Sequence, residues 1–211
     1  MENLKFQEPK LKLPGIRPLL IKIHKDLFLI DKFILRYSEF YPEDLSVLEK
    51  LVLVLEDRRF LDHRGIDLKS IIREILKMMT FRRHGGASSI DMQFVRTVTG
   101  YRHLSLRRKL YEIFLSVLIQ FRYNKITILR SYLACAFFGS HLIGVNKATN
   151  KVFNQNPEDL SIDEAAFIAA MLVYPRPMSP SLEWQRMVQR RANYGKRIYI
   201  SNKQRFEKLP R

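Results

Sequence analysis

Apolar residues recur at the helical period in several separate stretches of this chain. Between Pro42 and Leu55 they fall at Leu45, Leu48, Leu51, Val52 and Leu55, which predicts a helix with Pro42 in its first turn. Asp67 stands where it would cap a second helix, with Ile71, Ile72, Ile75, Leu76 and Met79 on one face and Gly85 and Gly86 stopping it. The most regular stripe is Leu110, Ile113, Phe114, Val117, Leu118 and Phe121, whose spacing of three and four predicts a helix running through the core. A fourth helix is predicted from about Lys125 to Phe137. A fifth begins at Ser161, where Glu164 follows three residues later as a capping box. Pro175, Pro177 and Pro180 end it and lead to a last, basic helix. The β-like stretches, Leu19 to Phe33 among them, are too sparse for a large sheet. The expectation is a mainly α fold in one domain over residues 19–200, with residues 1–18 an extended basic arm containing Pro9, Pro14 and Pro18, and 201–211 a basic tail.

Composition adds a charge and removes some classes. At 211 residues and 46% hydrophobic, the chain is long enough for one substantial core. Lys and Arg total 37 against 21 acids, a formal charge of +16, which suits either a polyanionic or anionic-lipid partner or simply a soluble surface. A nucleic-acid-binding module has that charge in its favour and nothing else, since no zinc spacing or RNA-recognition signature is present, so no nucleic acid is expected as a partner. Cys135 is the one cysteine, which excludes an intrachain disulfide, and within LACAFF it reads as a small buried hydrophobe rather than a nucleophile. The opening MENLKFQEPK lacks the apolar run of a secretory signal. Lys22, His24, Lys25, Asp26, Asp31 and Lys32 interrupt the stretch from Leu19 to Tyr37, so no spanning helix is expected and any membrane would be met at its surface.

Three clusters carry candidate chemistry. EDRRFLDHRGID, Glu56 to Asp67, follows directly on an amphipathic helix; a carboxylate delivered at a helix end near Arg58, Arg59 and His63 is placed to act as a general base, or only to pair with those arginines on the surface. GGASSIDMQFVR, Gly85 to Arg96, sets hydroxyl residues after glycines, a pattern that lets N–H and O–H groups approach an anion and that also makes ordinary turns. In RRKLYE, Arg107 to Glu112, the side chains of Arg108, Lys109 and Glu112 share a helix face distinct from the Leu110 stripe. Such a face can hold a leaving pyrophosphate or be a solvated salt bridge.

Taken in order, these clusters resemble the motifs of the peptidoglycan glycosyltransferase domain, the glycosyltransferase family 51 of class A penicillin-binding proteins and monofunctional transglycosylases. The resemblance spans roughly Pro42 to Ile198. EDRRFLDHRGID is similar to the first motif, GASSIDMQFVR to the second and RRKLYE to the third. KITILRSYLACAFFG resembles the fourth, FGSHLIGVNKATNKVF and LSIDEAAFIAAMLVYPRPMSP continue it, and RRANYGKRI resembles the closing motif.

The resemblance implies a lysozyme-like helical fold that polymerises lipid II, an undecaprenyl-pyrophosphate-linked disaccharide-peptide, into glycan strands with inversion. It implies Glu56 as the base that deprotonates the acceptor hydroxyl, and Glu112 as the acid that assists loss of the pyrophosphate, directly or through Mg2+ or Mn2+; no organic cofactor is implied. Arg96, Arg108 and Lys109 would hold the pyrophosphate, and Asp57, Phe60, His63, Gly65, Ser88, Ser89 and Gln93 would contact substrate or shape the cleft. The implied partners are lipid II, the nascent glycan strand, an anionic membrane surface and other cell-wall synthesis proteins. The implied place is the periplasmic face of the inner membrane, peripherally bound, with the cytoplasm as the alternative that the missing signal suggests. Asp91 and Met92 stand where the second motif commonly has Thr and Gln, and Arg130 and Ala134 where the fourth has Glu and Asn. A carboxylate at position 91 is expected to repel a neighbouring pyrophosphate unless a metal or an arginine intervenes. The competing reading is a weak or inactive relative that binds lipid II or a cell-wall synthesis partner without polymerising.

Overall fold

The computed structural model describes residues 15–37, 44–67, 69, 72, 88–101, 103 and 105–202. Among them are eight α-helices and one two-stranded hairpin, so the architecture is mainly α and forms one domain. The helices are α1 (Ile16–Tyr37), α2 (Val47–Glu56), α3 (Ile90–Thr99), α4 (Leu106–Gln120), α5 (Lys125–Cys135), α6 (Val145–Phe153), α7 (Ile162–Ala170) and α8 (Leu182–Ser201). The hairpin pairs β1 (Phe137–Gly139) with β2 (Leu142–Ile143), antiparallel, between α5 and α6.

Local chemistry sets the helix starts. Ser46, Ser89, Ser105, Asn124, Ser161 and Ser181 each accept a backbone N–H of the first turn with the side-chain oxygen, and Ser46 and Ser161 complete capping boxes with Glu49 and Glu164. The cap at Ser46 starts α2 at Val47, five residues after the proline expected in its first turn. The helix expected after Asp67, and Gly85 and Gly86, lie almost wholly outside the described residues, as do 1–14 and the tail from 203.

Two expectations are overturned. The β-like stretch Leu19 to Phe33 is helical, and α1 begins at Ile16, so residues 16–18 belong to a helix and not to an extended arm. Pro18 is tolerated because it stands in the first turn, where its missing N–H breaks no intrahelical bond. Ile23, Leu27, Ile30 and Ile34 recur at three and four and turn onto the core, which is what makes the segment a helix. The second correction concerns α4. Leu110, Phe114 and Phe121 of the stripe read as core are exposed, while Arg108, Tyr111, Glu112, Leu115, Ser116 and Ile119 face inward.

The buried side chains form one continuous core. Leu48, Leu51, Val52, Leu53 and Val54 bury α2 almost all round; the helix packs against α7 and α8, while α3 packs against α1, α4 and α5. A methyl group on Gly195 would stand 2.9 Å from Leu55 Cδ2, so this glycine lets α8 lie close to the end of α2.

Candidate active site

Helix α2 ends at Glu56, and α3 runs past that end. Gln93 Nε2 donates to Glu56 Oε2 at 3.4 Å, and Tyr132 O–H on α5 donates to Gln93 Oε1 at 2.7 Å. The second bond fixes which end of the Gln93 amide faces the carboxylate. Burial first, and then the charge of Glu56, hold the Tyr132 hydroxyl above its ordinary value, so it keeps the proton it donates. From the other side Arg191 on α8 donates to Glu56 Oε1 at 3.1 Å and to the Leu55 carbonyl at 3.0 Å.

One helical turn beyond Gln93, Arg96 reaches Glu112. Its Nε and Nη2 donate to the two carboxylate oxygens at 3.0 and 3.2 Å, a bidentate pair, and Arg108 Nε stands 3.1 Å from Glu112 Oε1. Glu112 is 1% exposed. Ser88 Oγ accepts from Arg96 Nη2 at 3.3 Å and from Lys109 Nζ at 2.7 Å. Burial, then repulsion from Arg96, lowers the Lys109 pKa from 10.5. The two candidate acids, 56 residues apart in sequence, are therefore gathered on one face of α3, with Arg96, Arg108 and Lys109 around the second.

Five of the expected contact residues, Asp57, Phe60, His63, Gly65 and Ser89, are buried and engaged with the protein's own groups. Asp57 is buried; its Oδ2 lies 3.0 Å from His63 Nε2 and accepts the Ile90 N–H at 3.2 Å, holding the start of α3 against the end of α2. Phe60 is buried edge-on to His63. Gly65, at φ +83°, lies so close to α4 that a Cβ would meet the Ser116 carbonyl oxygen at 2.5 Å. Ser89 caps α3 and donates to the Gly65 carbonyl at 2.6 Å. These residues brace the joint between α2, α3 and α4, while Glu56, Gln93, Ser88, Arg96, Arg108, Lys109 and Glu112 are linked to one another along α3. The motif pattern gave no sign of this division, because a serine that caps and a serine that binds read alike.

The departures at positions 91, 92 and 130 also turn inward. Asp91 is fully buried; its Oδ2 accepts Lys125 Nζ at 3.0 Å, and Gln120 donates to its other oxygen. It is thus paired with Lys125 of α5 and hydrogen-bonded from α4, with its charge met inside the protein. Met92 is part of the buried interior. Arg130 pairs with Glu49 at 2.7 Å and donates to the Asp44 carbonyl at 3.1 Å, so a charge-reversed position has an acid on α2 to meet it.

At Glu112 the carboxylate is already paired with cationic side chains. Both of its oxygens accept from the Arg96 guanidinium, and Arg108 pairs with the same carboxylate while Lys109 stands nearby on Ser88. Ligand atoms of Asp57, His63 and Asp91 lie within 4.8 Å of one another. Lys125 Nζ occupies that cluster, 3.0 Å from Asp91 Oδ2 and 3.5 Å from His63 Nδ1, and supplies the positive charge there.

The transglycosylase family model matches residues 34–198. The chain belongs to the transglycosylase family. Penicillin-binding protein 1A of Rickettsia typhi is similar at 35% identity over 158 residues, which is 73% of this chain and 20% of that protein. Penicillin-binding protein 1A of Rickettsia prowazekii is 34% identical over 182 residues, 83% of this chain and 23% of that protein. The protein of the same name from Clostridium botulinum is 32% identical over 140 residues, 64% of this chain and 16% of its own length. The chain thus spans about a fifth of the length of the curated relatives it matches. Most of α1 lies before the transglycosylase match. Arg191 and Tyr132, which the sequence did not single out, complete the surroundings of Glu56. The signal for Arg191 was a cation beside Val188, Ala192 and Gly195, the buried face of a basic helix.

Proposed function

We propose that this chain joins lipid II units into glycan strands, with inversion at the anomeric carbon, as a peptidoglycan glycosyltransferase in cell-wall synthesis. One observation carries the reading: Glu56 and Glu112 meet successive turns of α3, at Gln93 and Arg96, with three cations clustered at the Glu112 end. A glycosyl transfer with a diphosphate leaving group needs that asymmetry, a base at one end and positive charge at the other.

Glu56 takes the proton of the acceptor sugar hydroxyl as its oxygen attacks the donor's anomeric carbon. The bond from that carbon to the pyrophosphate oxygen breaks, and the departing diphosphate takes the electron pair. Arg96, Arg108 and Lys109 receive its charge. Glu112, bound by two of those cations, acts through them by fixing where they point. Before Glu56 can take a proton, the substrate has to share or displace the Arg191 contact.

The substrate is met at a membrane surface, and the growing glycan strand is the second substrate. The test is polymerisation of labelled lipid II by wild type and by Glu56→Gln. Wild type yields glycan and the variant loses at least about a hundredfold, the lower end of what one positioned base contributes. Wild type that binds lipid II and makes no glycan would establish the binding-only relative instead.

A further inference from the structure

Among the described residues, α1 exposes more large apolar side chains than any other helix: Ile16, Leu20, Ile21, Phe28, Leu29 and Leu35. On α1 they form a pattern. Ile21, Phe28 and Leu35 are 62%, 60% and 68% exposed and stand seven residues apart, which keeps them on nearly one line along the helix. Arg17, Lys25 and Lys32, also exposed, lie four residues before or after members of that line and so stand beside it. The outward face thus reads Arg17, Ile21, Lys25, Phe28, Lys32, Leu35 from one end to the other.

The helix has two acids: Asp26 is turned away from this face, and Asp31, four residues before Leu35, stands beside it, partly exposed and paired with Arg122. Asp26 is buried and accepts from Tyr111 O–H at 2.7 Å and from Lys22 Nζ at 3.1 Å. Asp31 accepts from Tyr123 O–H at 2.8 Å. Leu27, Ile30 and Ile34 meanwhile hold the opposite side of α1 in the core, so the outward face is rigidly presented. Neighbouring α4, tied to α1 through Tyr111, exposes Leu106, Leu110 and Phe114 as well.

We infer that α1 is an in-plane docking surface for an anionic phospholipid bilayer, lying along it with Ile21, Phe28 and Leu35 at the depth of the upper acyl chains. Apolar side chains interleaved with cations suit that depth, because lysine stems extend alongside the apolar row while their ammonium groups stay at the phosphates. A second copy of the chain would set the same cations against each other, and an apolar protein groove would have to bury them. No helix among the described residues is long and apolar enough to cross a membrane, so this is contact along the surface. The inference rests on the reading above in that a lipid-linked substrate has to be met at a bilayer.

The test is co-sedimentation of the whole chain with phosphatidylglycerol/phosphatidylcholine vesicles and with phosphatidylcholine vesicles, without lipid II. Wild type should pellet with the anionic vesicles and be released by high salt. The double variant Ile21→Glu/Phe28→Glu should lose at least about tenfold in vesicle affinity, through two lost apolar anchors and two added negative charges. Its far-ultraviolet circular dichroism should stay that of wild type. Met178→Glu, which alters an exposed apolar residue away from α1, should bind as wild type does.

Failure to bind anionic vesicles, equal binding by the folded double variant, or dimerisation abolished by that variant without vesicle binding would overturn the inference. Vesicle binding by a protein that makes no glycan leaves the docking surface standing and removes the activity. Polymerisation of detergent-dispersed lipid II without vesicle binding does the reverse.

Discussion

Lys109 shows how much one residue's surroundings change what its type promises. As a lysine it is an ordinary cation; beside Arg96 and half-buried, it holds its proton less firmly than the usual value of 10.5. Its charge is therefore lost on the alkaline side earlier than an exposed lysine's would be. If that charge receives the diphosphate, kcat/KM falls at high pH below the ordinary lysine value. Lys109→Arg, which stays charged, should move the alkaline limb upward; superimposable pH profiles for the two proteins would show that the limb belongs to another group. The sequence made Lys109 and Arg108 legible as cations on the face of Glu112, because helix spacing alone settles that. It could not separate Ser88, which accepts from two cations, from Ser89, which caps α3 and anchors Gly65, because that difference depends on where neighbouring elements lie. Cys135 was readable from its apolar neighbours: it is buried, and burial pushes its thiol up to about 12, where it is no nucleophile at neutral pH.

Elements differ in how well their outer and inner faces could be told apart. The stripe on α4 assumed that the more apolar side of a helix is the buried one. That fails here because Arg108 and Glu112 neutralise one another and go inward with Tyr111, Leu115 and Ile119, leaving Leu110 and Phe114 outside. A periodicity count scores residues singly and is blind to such pairs. The same holds for the joint between α3 and α5, where Asp91 and Lys125 are buried together at 3.0 Å. Burial raises the pKa of the acid and lowers that of the amine, so each charge depends on the other. Asp91→Asn and Lys125→Met should each destabilise by about 3 kcal/mol, the magnitude for stranding one member of a buried pair. The double variant should lose distinctly less than the two single losses together, as read by urea denaturation. Additive losses would mean that the pair does not hold α3 to α5 as a unit.

At the scale of the whole molecule, the order of helices and the ordered motifs were legible, and the match over residues 34–198 agrees with them. What composition left open was where an excess of +16 is spent. Part of it lies on α1, and part is concentrated around Glu112, where Arg96 and Arg108 pair with one carboxylate and Lys109 stands beside them. Like charges held together by the fold oppose it, so a bound anion should stabilise the protein beyond any general salt effect. Inorganic pyrophosphate, the head group of the proposed undecaprenyl diphosphate leaving group without its lipid, is the direct probe. At a concentration about a hundred times its Kd it should add about 2.7 kcal/mol to unfolding stability, seen as a rise in Tm over a control of equal ionic strength in chloride. Lys109→Ala should weaken that rise by removing one of the three cations. EDTA should leave it intact, since the oxygens of Glu112 are already bound by guanidinium groups and the anion meets the cations directly. A rise that appears only with Mg2+ would instead place a metal between the carboxylate and the diphosphate, and would reassign Glu112 from holding the arginines to holding the ion.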